Sequence, residues 1–438
     1  MGTKYINIFG GGTVSHVRNH LALCAPAYGG TARELAELCR HGTGLGVRLH
    51  LTKMAGGNQS GVWPAMETWE DVAVRLDGLV NDPATKIIFM TMAIVDFSGF
   101  IPFVKSGPLA ARVHSRQEKT LPARLDALPK LLPRIRQTRK DIFLVAFKTT
   151  VGATEDEQYL AGLQLLKESS CNLALANDLK TKLNMIVTPE EARYEVTIDR
   201  RAALKALVKM TLQRSQLTFT RSTVVKGDPV PWDSPLVPPS LRKVVDYCIA
   251  QGAYKPFNGA TVGHFACKLN ATTFLTSIRK TNFNDLPKTG LVKIETDGPD
   301  HVLAYGAKPS VGGQSQRIVF SYHPNYDCIV HFHCPRRATS EVPIVSQREY
   351  ECGSHECGRN TARGLKQFGD LSAVYLDEHG PNIVFNKAID HRLVIKFIDE
   401  NFDLSQKTGG YVNLGQILQT PDHVEDLQAY TAPGAEEK

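Results

Sequence analysis

The chain has 438 residues, of which 42% are hydrophobic and 22% charged, and its formal net charge is +7. A chain of this length is too long for one ordinary hydrophobic core, so two domains of roughly 200 residues each are expected. The densest cluster of basic residues consists of Arg134, Arg136, Arg139 and Lys140. It is too short for a nucleic-acid-binding arm, which favours a small anionic ligand over nucleic acid. A solvated basic face is the simpler interpretation of this group.

The nine cysteines are an odd number and lie mostly in apolar segments. Buried free thiols in a reducing compartment fit this pattern better than a disulfide framework. No apolar run approaches the ~20 residues of a membrane span, and the first residues lack the pattern of a signal peptide. The sequence therefore predicts a cytoplasmic protein with no membrane or nucleic-acid partner.

Residues 4 to about 213 alternate apolar strands with helical patterns. The strands are Tyr5–Phe9, Val47–Thr52, Lys86–Met92, Ile142–Phe147 and Leu173–Ala176, and the helices are Thr31–His41 (ended by Gly42), Glu67–Val80, Pro129–Thr138, Glu155–Ser169 and Arg200–Gln213. This alternation predicts an α/β domain with a mostly parallel, doubly wound sheet. Such sheets bind ligands at the carboxyl ends of their strands.

Four loops after these strands are therefore candidates for nucleotide binding. Their residues are Gly11, Gly12 and Thr13 after the first strand, Asp96 and Phe97, Lys148, and Asn177 with Asp178. A glycine-rich turn lets backbone amides approach phosphates, although the same glycines also suit a tight turn. The first loop matches neither G-x-G-x-x-G nor a P-loop, and Asn177-Asp178 equally suits a turn or a helix cap.

In this order, the loops resemble those of the phosphopantothenoylcysteine synthetase family, over residues 1 to about 200. The matching segments are Gly11-Gly12-Thr13 with Val17-Arg18, Met92 to Phe97, Ala127 to Leu132, Phe147-Lys148, and Ala176-Asn177-Asp178. The resemblance implies a Rossmann-like fold that uses CTP or ATP, with Mg²⁺, to activate a carboxylate.

Two segments depart from that family. Its N-x-S-S-G segment is replaced by Ala25 to Gly30, and its lysine-rich loop is reduced to Lys180-Thr181-Lys182. These elements handle the acyl substrate and the triphosphate in the family. A different substrate, nucleotide binding alone, and a degenerate structural domain all stay open.

Residues 222–240 contain Pro229, Pro231, Pro235, Pro238 and Pro239. Because prolines at this density oppose regular helices and central strands, a stiff linker is expected there. The predicted domains are thus 1–221 and 241–438.

The second half contains a candidate metal site. In the apolar segment Cys328–Pro335, alternation along a strand places Ile329, His331 and His333 on one face. His379 follows another apolar run, beside a glycine. Three imidazoles with an open fourth position suit catalytic zinc, and manganese, iron or cobalt also accept them. Satisfied core or surface histidines are the alternative interpretation.

Residues 241 to about 404 resemble the class II aldolase family, the fuculose-phosphate aldolase-like αβα fold. The resemblance rests on the order of Phe257 to Ala266, Phe274 to Phe283, Pro309-Ser310, the H-F-H strand, Gly353-Ser354 and Glu378-His379-Gly380. It implies that His331, His333 and His379 bind zinc. It further implies substrate contacts from Gly263, His264, Ser277 and Ser310, beside Arg279 and Lys280, whose charges equally suit a plain surface pair.

The family's catalytic glutamate, in P-S-S-E, has no counterpart in Pro309 to Gln316, and glutamine takes no proton at neutral pH. Candidate replacements are Glu351, Glu356 and His355, with Glu378 and His323 as further possibilities. Ser354 precedes Glu356 as a helix cap, so a structural role competes with catalysis. Glu378 suits a role in orienting His379.

The sequence thus predicts a bifunctional enzyme: a zinc-dependent aldolase-type lyase fused to a nucleotide-binding, ligase-like domain. The lyase substrate would be a small anionic hydroxy-carbonyl compound, and aldol cleavage, decarboxylation, dehydration and epimerisation all stay open. Family resemblance implies a homotetramer. The alternative is a non-catalytic binding or scaffold protein that retains two degenerate enzyme folds.

Overall fold

A computed structural model describes residues 3–41, 44–57, 64–102, 104–114, 120, 122–257 and 259–408. Gly42, Asn258, residues 409–438 and the side chain of Gln314 lie outside the described part. The chain divides into a first unit, Met1–Pro189 with Arg193–Gln216, and a second unit, Glu190–Ala192 with Leu217–Lys438. The predicted limits of the two domains and the linker stay predictions.

The first unit contains eleven described strands and five described α-helices. The strands are β1 (Tyr5–Gly10), β2 (Val14–Arg18), β3 (Leu21–Cys24), β4 (Gly46–Leu51), β5 (Thr85–Met90), β6 (Phe97–Phe100), β7 (Arg124–Ala127), β8 (Phe143–Thr150), β9 (Leu173–Asp178), β10 (Asn184–Val187) and β11 (Arg193–Thr197), and the helices are α1 (Gly30–Arg40), α2 (Trp69–Asn81), α3 (Leu132–Thr138), α4 (Glu155–Ser169) and α5 (Arg200–Arg214).

The main sheet of this unit has the order β11-β10-β9-β8-β5-β1-β4. Its strands β4, β1, β5, β8 and β9 are parallel, and β10 and β11 add an antiparallel edge. Capping boxes start two of the helices: Thr68 with Asp71 at α2, and Thr154 with Glu157 at α4. The predicted mostly parallel α/β sheet is confirmed.

The second unit contains twelve described strands and five described α-helices. The strands are β12 (Arg221–Val225), β13 (Pro256–Phe257), β14 (Ala260–Thr261), β15 (His264–Lys268), β16 (Thr273–Ser277), β17 (Leu291–Thr296), β18 (His301–Tyr305), β19 (Cys328–His331), β20 (Ile344–Val345), β21 (Lys366–Phe368), β22 (Leu371–Leu376) and β23 (Gly380–Phe385), and the helices are α6 (Pro239–Ala250), α7 (Leu286–Thr289), α8 (Val311–Tyr322), α9 (His355–Gly364) and α10 (His391–Asn401).

The main sheet of the second unit has the order β12-β18-β17-β16-β15-β19-β23-β22-β20. Its strand β19 separates two apolar cores. Cys328 and Val330 pack with α6 and α10 on one face, whereas Ile329 packs with Val319 of α8 on the other. The sheet is therefore covered on both faces, and the face that carries Ile329 is the one expected for His331.

Several local expectations need correction. Lys148, Asn177 and Asp178 lie in the last residues of β8 and β9 rather than in loops, because β8 and β9 stay paired to Thr150 and Asp178. The strand around His331 ends at that residue, so His333 lies just beyond it.

Within the stretch predicted as a linker, part of β12 pairs with β18. At the other end of this stretch, α6 begins at Pro239. Proline is tolerated there because amides in the first turn of a helix have no partner within the helix.

Candidate metal centre

Three imidazoles converge in the second unit. His331, His333 and His379 each offer one nitrogen, and these nitrogens all lie within 4.8 Å of one another. Nε2 of His331 is 3.2 Å from Nε2 of His379. All three residues are buried, with exposed fractions of 0%, 6% and 1%. The structure thus brings together the three histidines predicted to bind metal.

The turn between β22 and β23 positions two of these side chains. His379 lies in this turn, and the carbonyl of Pro381 accepts a hydrogen bond of 2.7 Å from Nδ1 of His331. That bond leaves the Nε2 lone pair of His331 facing His379. At Gly380 a Cβ atom would lie 2.1 Å from the carbonyl oxygen of Phe332, so only glycine permits this close approach.

A polar layer lies beside the three histidines. Register places His264 of β15 and Asn382 of β23 on either side of His331. The ring of His264 stacks on that of His331, with centroids 4.6 Å apart. From α8, Nε2 of Gln316 donates to Nδ1 of His264 at 3.2 Å. His264, predicted as a substrate contact, is the first residue of β15 and lies beside the candidate ligands.

Burial keeps the imidazoles of His331 and His264 neutral. It lowers the pKa of His331 well below its ordinary value, and the neighbouring His264 and His333 lower it further, against a smaller opposing effect of the Pro381 carbonyl. Burial, with a contribution from His333, lowers the pKa of His264 to about 3. Neutral imidazoles keep the lone pairs that metal binding requires.

A carboxylate that sequence reasoning missed lies next to His333. Oε2 of Glu191 is 3.5 Å from Nδ1 of His333 and 3.3 Å from Nζ of Lys407. The side chains of Glu191 and Lys407 are 1% and 4% exposed. Glu191 has a φ of +69°, a backbone conformation that is uncommon for residues other than glycine.

The predicted catalytic residues of α9 have structural contacts. Oε2 of Glu356 accepts from the backbone of Thr218 at 3.0 Å, and Oε1 pairs with Arg359. His355 contacts the hydroxyl of Thr220 at 2.9 Å, and burial lowers its pKa, with Arg317 adding to the effect. These contacts hold the first turn of α9, which fits the competing interpretation as a helix start.

The other carboxylate and histidine candidates lie in turns. The carbonyl of Glu351 accepts from the backbone of Ser354, just before α9. Glu378 has a φ of +56° in the turn that carries His379. His323, which ends α8, contacts the carbonyl of Ala362 at 2.7 Å.

The predicted substrate-binding residues fall into two places. Gly263 lies against the carbonyl of His331, where a Cβ atom would be 2.7 Å away. His264 is next to it, in β15. The remaining residues end β16 (Ser277), follow it (Arg279 and Lys280) or precede α8 (Ser310). The amide of Ser310 donates to the carbonyl of Ser277, and that of Arg279 donates to the carbonyl of Lys308. Lys280, beside Arg279, has a φ of +59°.

The candidate nucleotide loops lie at one edge of the sheet in the first unit, because β1, β5, β8 and β9 are parallel neighbours there. Gly12 bridges to Ala93, and the hydroxyl of Thr13 accepts from the amide of Val95 at 2.8 Å. These contacts join the loops after β1 and β5. Gly11 has a φ of +103°.

The acidic residues at this edge have internal partners. Asp96 pairs with Lys130 at 2.8 Å, and Phe97 beside it is 45% exposed. The carboxylate of Asp178 accepts from the hydroxyl of Thr150 and from the amides of Ala153, Lys180 and Thr181. Burial opposes ionisation, but the hydrogen bonds to the carboxylate lower the pKa of Asp178 overall.

Two further sequence expectations concern thiols and membranes. None of the nine cysteines forms a disulfide bond, and only Cys24 is exposed. Among the described residues, none of the helices combines the length and the apolar character that crossing a bilayer demands.

No family model matches the chain. The coenzyme A biosynthesis bifunctional protein CoaBC of Thermococcus kodakarensis is 25% identical to it over 115 residues, which are 26% of this chain and 27% of that protein. The chain therefore matches little more than a quarter of this relative's length.

Solved structures of two kinds are similar to the chain. The DNA/pantothenate metabolism flavoprotein of Streptococcus pneumoniae shares 18% identity over 48% of this chain and 98% of its own, with a TM-score of 0.39. An L-fuculose 1-phosphate aldolase shares 16% identity over 37% of this chain and 80% of its own, with a TM-score of 0.28.

YgbL of Escherichia coli, described as a candidate aldolase, epimerase or decarboxylase, shares 16% identity over 41% of this chain and 94% of its own, with a TM-score of 0.28. The two resemblances inferred from the sequence are both represented among these proteins.

Proposed function

We propose that the second unit is a metal-dependent lyase of the class II aldolase type. The observation that carries this proposal is the convergence of three buried imidazoles, His331, His333 and His379, within 4.8 Å. The reaction would be aldol cleavage, decarboxylation, dehydration or epimerisation of a small anionic hydroxy-carbonyl compound. Similarity to a fuculose-phosphate aldolase and to YgbL is consistent with this class of chemistry.

The donor geometry fits zinc. Two imidazole nitrogens bound tetrahedrally at 2.0–2.1 Å would be about 3.3 Å apart. Nε2 of His331 and Nε2 of His379 are 3.2 Å apart. Manganese, iron and cobalt accept the same donors, so these ions stay alternatives to zinc.

In this proposal His331, His333 and His379 hold the ion, and the hydrogen bond from His331 to Pro381 orients the first of them. A divalent ion bound there supplies a Lewis acid for a substrate oxygen. All three histidines are buried, and burial lowers the pKa of His331, which favours its neutral form. Arg279 and Lys280 would attract an anionic group of the substrate.

We propose that the first unit binds CTP or ATP with Mg²⁺ and activates a carboxylate. Support comes from the loops after β1 and β5, which meet at the carboxyl edge of the parallel sheet through Gly12 and Thr13. The match to CoaBC is consistent with such a ligase. We also propose that the chain is a homotetramer in the cytoplasm. The lack of disulfide bonds supports a reducing compartment, and the tetramer follows from the family resemblance alone.

One observation favours the alternative, a binding protein without catalysis. Glu356 and His355 are occupied by contacts at the start of α9, and no carboxylate replaces the P-S-S-E glutamate in Pro309 to Gln316. A binding protein would take up metal and substrate analogues but turn over no hydroxy-carbonyl compound.

The metal content of the purified chain tests the proposal. We expect about one zinc per chain in the wild type, with loss of the ion in His333→Ala. The matched control is His301→Ala, which removes a partly exposed imidazole that contacts Asp297 and Thr223 instead. Wild-type protein that takes up neither zinc nor manganese, iron or cobalt would overturn the metal centre.

A further inference from the structure

A segment of three residues lies beside the candidate ligand His333. Glu190–Ala192 belongs to the second unit although the sequence on either side of it belongs to the first. Glu190 and Glu191 are each 2% exposed. Buried carboxylates are costly unless nearby groups compensate them, so their burial needs a reason.

For Glu191 that reason lies in two cationic or hydrogen-donating neighbours. Its Oε2 is 3.5 Å from Nδ1 of His333, and the same oxygen is 3.3 Å from Nζ of Lys407. The backbone amide of Thr408, next to Lys407, donates to the carbonyl of His333 at 3.1 Å. The backbone of His333 is therefore held by Thr408, and its Nδ1 atom faces the carboxylate of Glu191.

We propose that Glu191 is a positioning residue for the metal centre. Its carboxylate accepts the Nδ1 hydrogen of His333, which selects the tautomer whose Nε2 lone pair faces the other two histidines. Lys407 holds the carboxylate in place. This inference rests on the proposed metal-binding function and adds a support for His333 matching what the Pro381 carbonyl does for His331.

Two geometric features bear on this role. A separation of 3.5 Å is longer than an ordinary hydrogen bond, and such bonds commonly shorten when a site binds its ligand. The left-handed φ of Glu191 is the kind of backbone strain that proteins retain at functional sites.

The test is zinc affinity of the full chain, measured by competition with a chromophoric chelator. Removal of a group that orients a metal-binding histidine weakens affinity about 10–100-fold. We expect a loss of this size in Glu191→Ala and a smaller one in Glu191→Gln, because glutamine keeps an acceptor oxygen. Lys407→Met should weaken binding less than Glu191→Ala.

The matched control is Asp327→Asn, which removes another poorly exposed carboxylate with a lysine partner, Lys268, at 3.7 Å. Its zinc affinity should equal that of the wild type. Circular dichroism and urea unfolding of each variant identify any that fails to fold.

Two spectroscopic readouts separate positioning from general stabilisation. Nitrogen NMR of the metal-free chain should show the Nδ1–H tautomer of His333 in the wild type and a loss of that preference in Glu191→Ala. At saturating Co²⁺, the visible spectrum of Glu191→Ala should match that of the wild type, because Glu191 is not itself a ligand.

A changed cobalt spectrum would overturn positioning in favour of direct ligation. Unchanged zinc affinity in a folded Glu191→Ala variant would overturn the inference and leave the metal centre intact. Wild-type chain that binds no metal would overturn both.

Discussion

The carboxyl edge of the sheet in the first unit and the histidine cluster of the second unit carry the same kind of sequence signal, a polar residue after an apolar strand. Their surroundings differ. Asp178 accepts four hydrogen bonds from its own neighbourhood, and Thr13 accepts one from Val95. His331 and His379 instead face each other through ring nitrogens 3.2 Å apart.

This difference separates two uses of polar residues. Backbone amides satisfy Asp178 and Thr13, so these side chains shape their loops whether or not a nucleotide binds. His331 and His379 bring their Nε2 atoms together, and the lone pairs of such nitrogens would hold a bound cation. The second unit is therefore the better supported of the two candidate sites, and the experiments below test that contrast.

The largest effect is expected from Gly380→Ala. A Cβ atom would lie 2.1 Å from the carbonyl oxygen of Phe332, so the turn must move and carry His379 with it. We expect a loss of about 3 kcal/mol in the free energy of unfolding, measured in urea. Zinc content should fall at the same time.

The matched control is Gly369→Ala, because Gly369 also has a positive φ, +61°, but a Cβ atom there would meet nothing within 4 Å. It should cost only the left-handed strain of about 1–2 kcal/mol and keep the metal. Equal effects of the two variants would contradict the close-approach argument.

An intermediate effect on the free energy of unfolding is expected from pH, and we consider one buried imidazole from each unit. Burial lowers the pKa of His50 to about 3, with Arg75 and Arg48 adding to the shift, and His264 behaves alike. Because these values lie below the ordinary pKa, these imidazoles bind protons at a higher pH in the unfolded chain than in the folded chain. The stability is complete above about pH 6.5 and is lost as the pH falls towards the folded values, by about 1.4 kcal/mol per pH unit for each imidazole.

Urea unfolding between pH 7 and pH 5 measures this slope, and His50→Gln or His264→Gln should each flatten it by about one imidazole's share. Near pH 7 the slope itself should be small. An unchanged slope in both variants would show that neither imidazole stays neutral on folding.

The smallest effect on stability is expected from Asp96→Asn. The pair with Lys130 is exposed, with side chains 50% and 68% accessible, so its loss should change the free energy of unfolding by about 1 kcal/mol or less. If the first unit binds nucleotide at this edge, the same change should weaken Mg²⁺–CTP or Mg²⁺–ATP binding in calorimetry.

Asp126→Asn is the control, since Asp126 forms a comparable exposed pair with Arg124 at 2.9 Å. Its nucleotide affinity should equal that of the wild type. Identical nucleotide affinities in Asp96→Asn and wild type would remove Asp96 from the proposed site.

Features that depend on local patterns could be predicted from the sequence. Alternating strand and helix periods predicted the parallel sheet of the first unit, and the period of two along Cys328–Pro335 placed Ile329 and His331 on one face. Helix α4 begins at Glu155 as expected because Thr154 and Glu157 form a capping box. Local chemistry is sufficient for such features.

The tertiary structure alone decided which distant residues meet. Strand register placed His264 and Asn382 beside His331. The pairing of β8 with β9 extends to Thr150 and Asp178, so residues expected in two loops lie at strand ends. Glu191 approaches His333 from a segment far away in the sequence, where no periodicity or motif marks it. Contacts of this kind depend on register and long-range packing, for which a single local segment contains no signal.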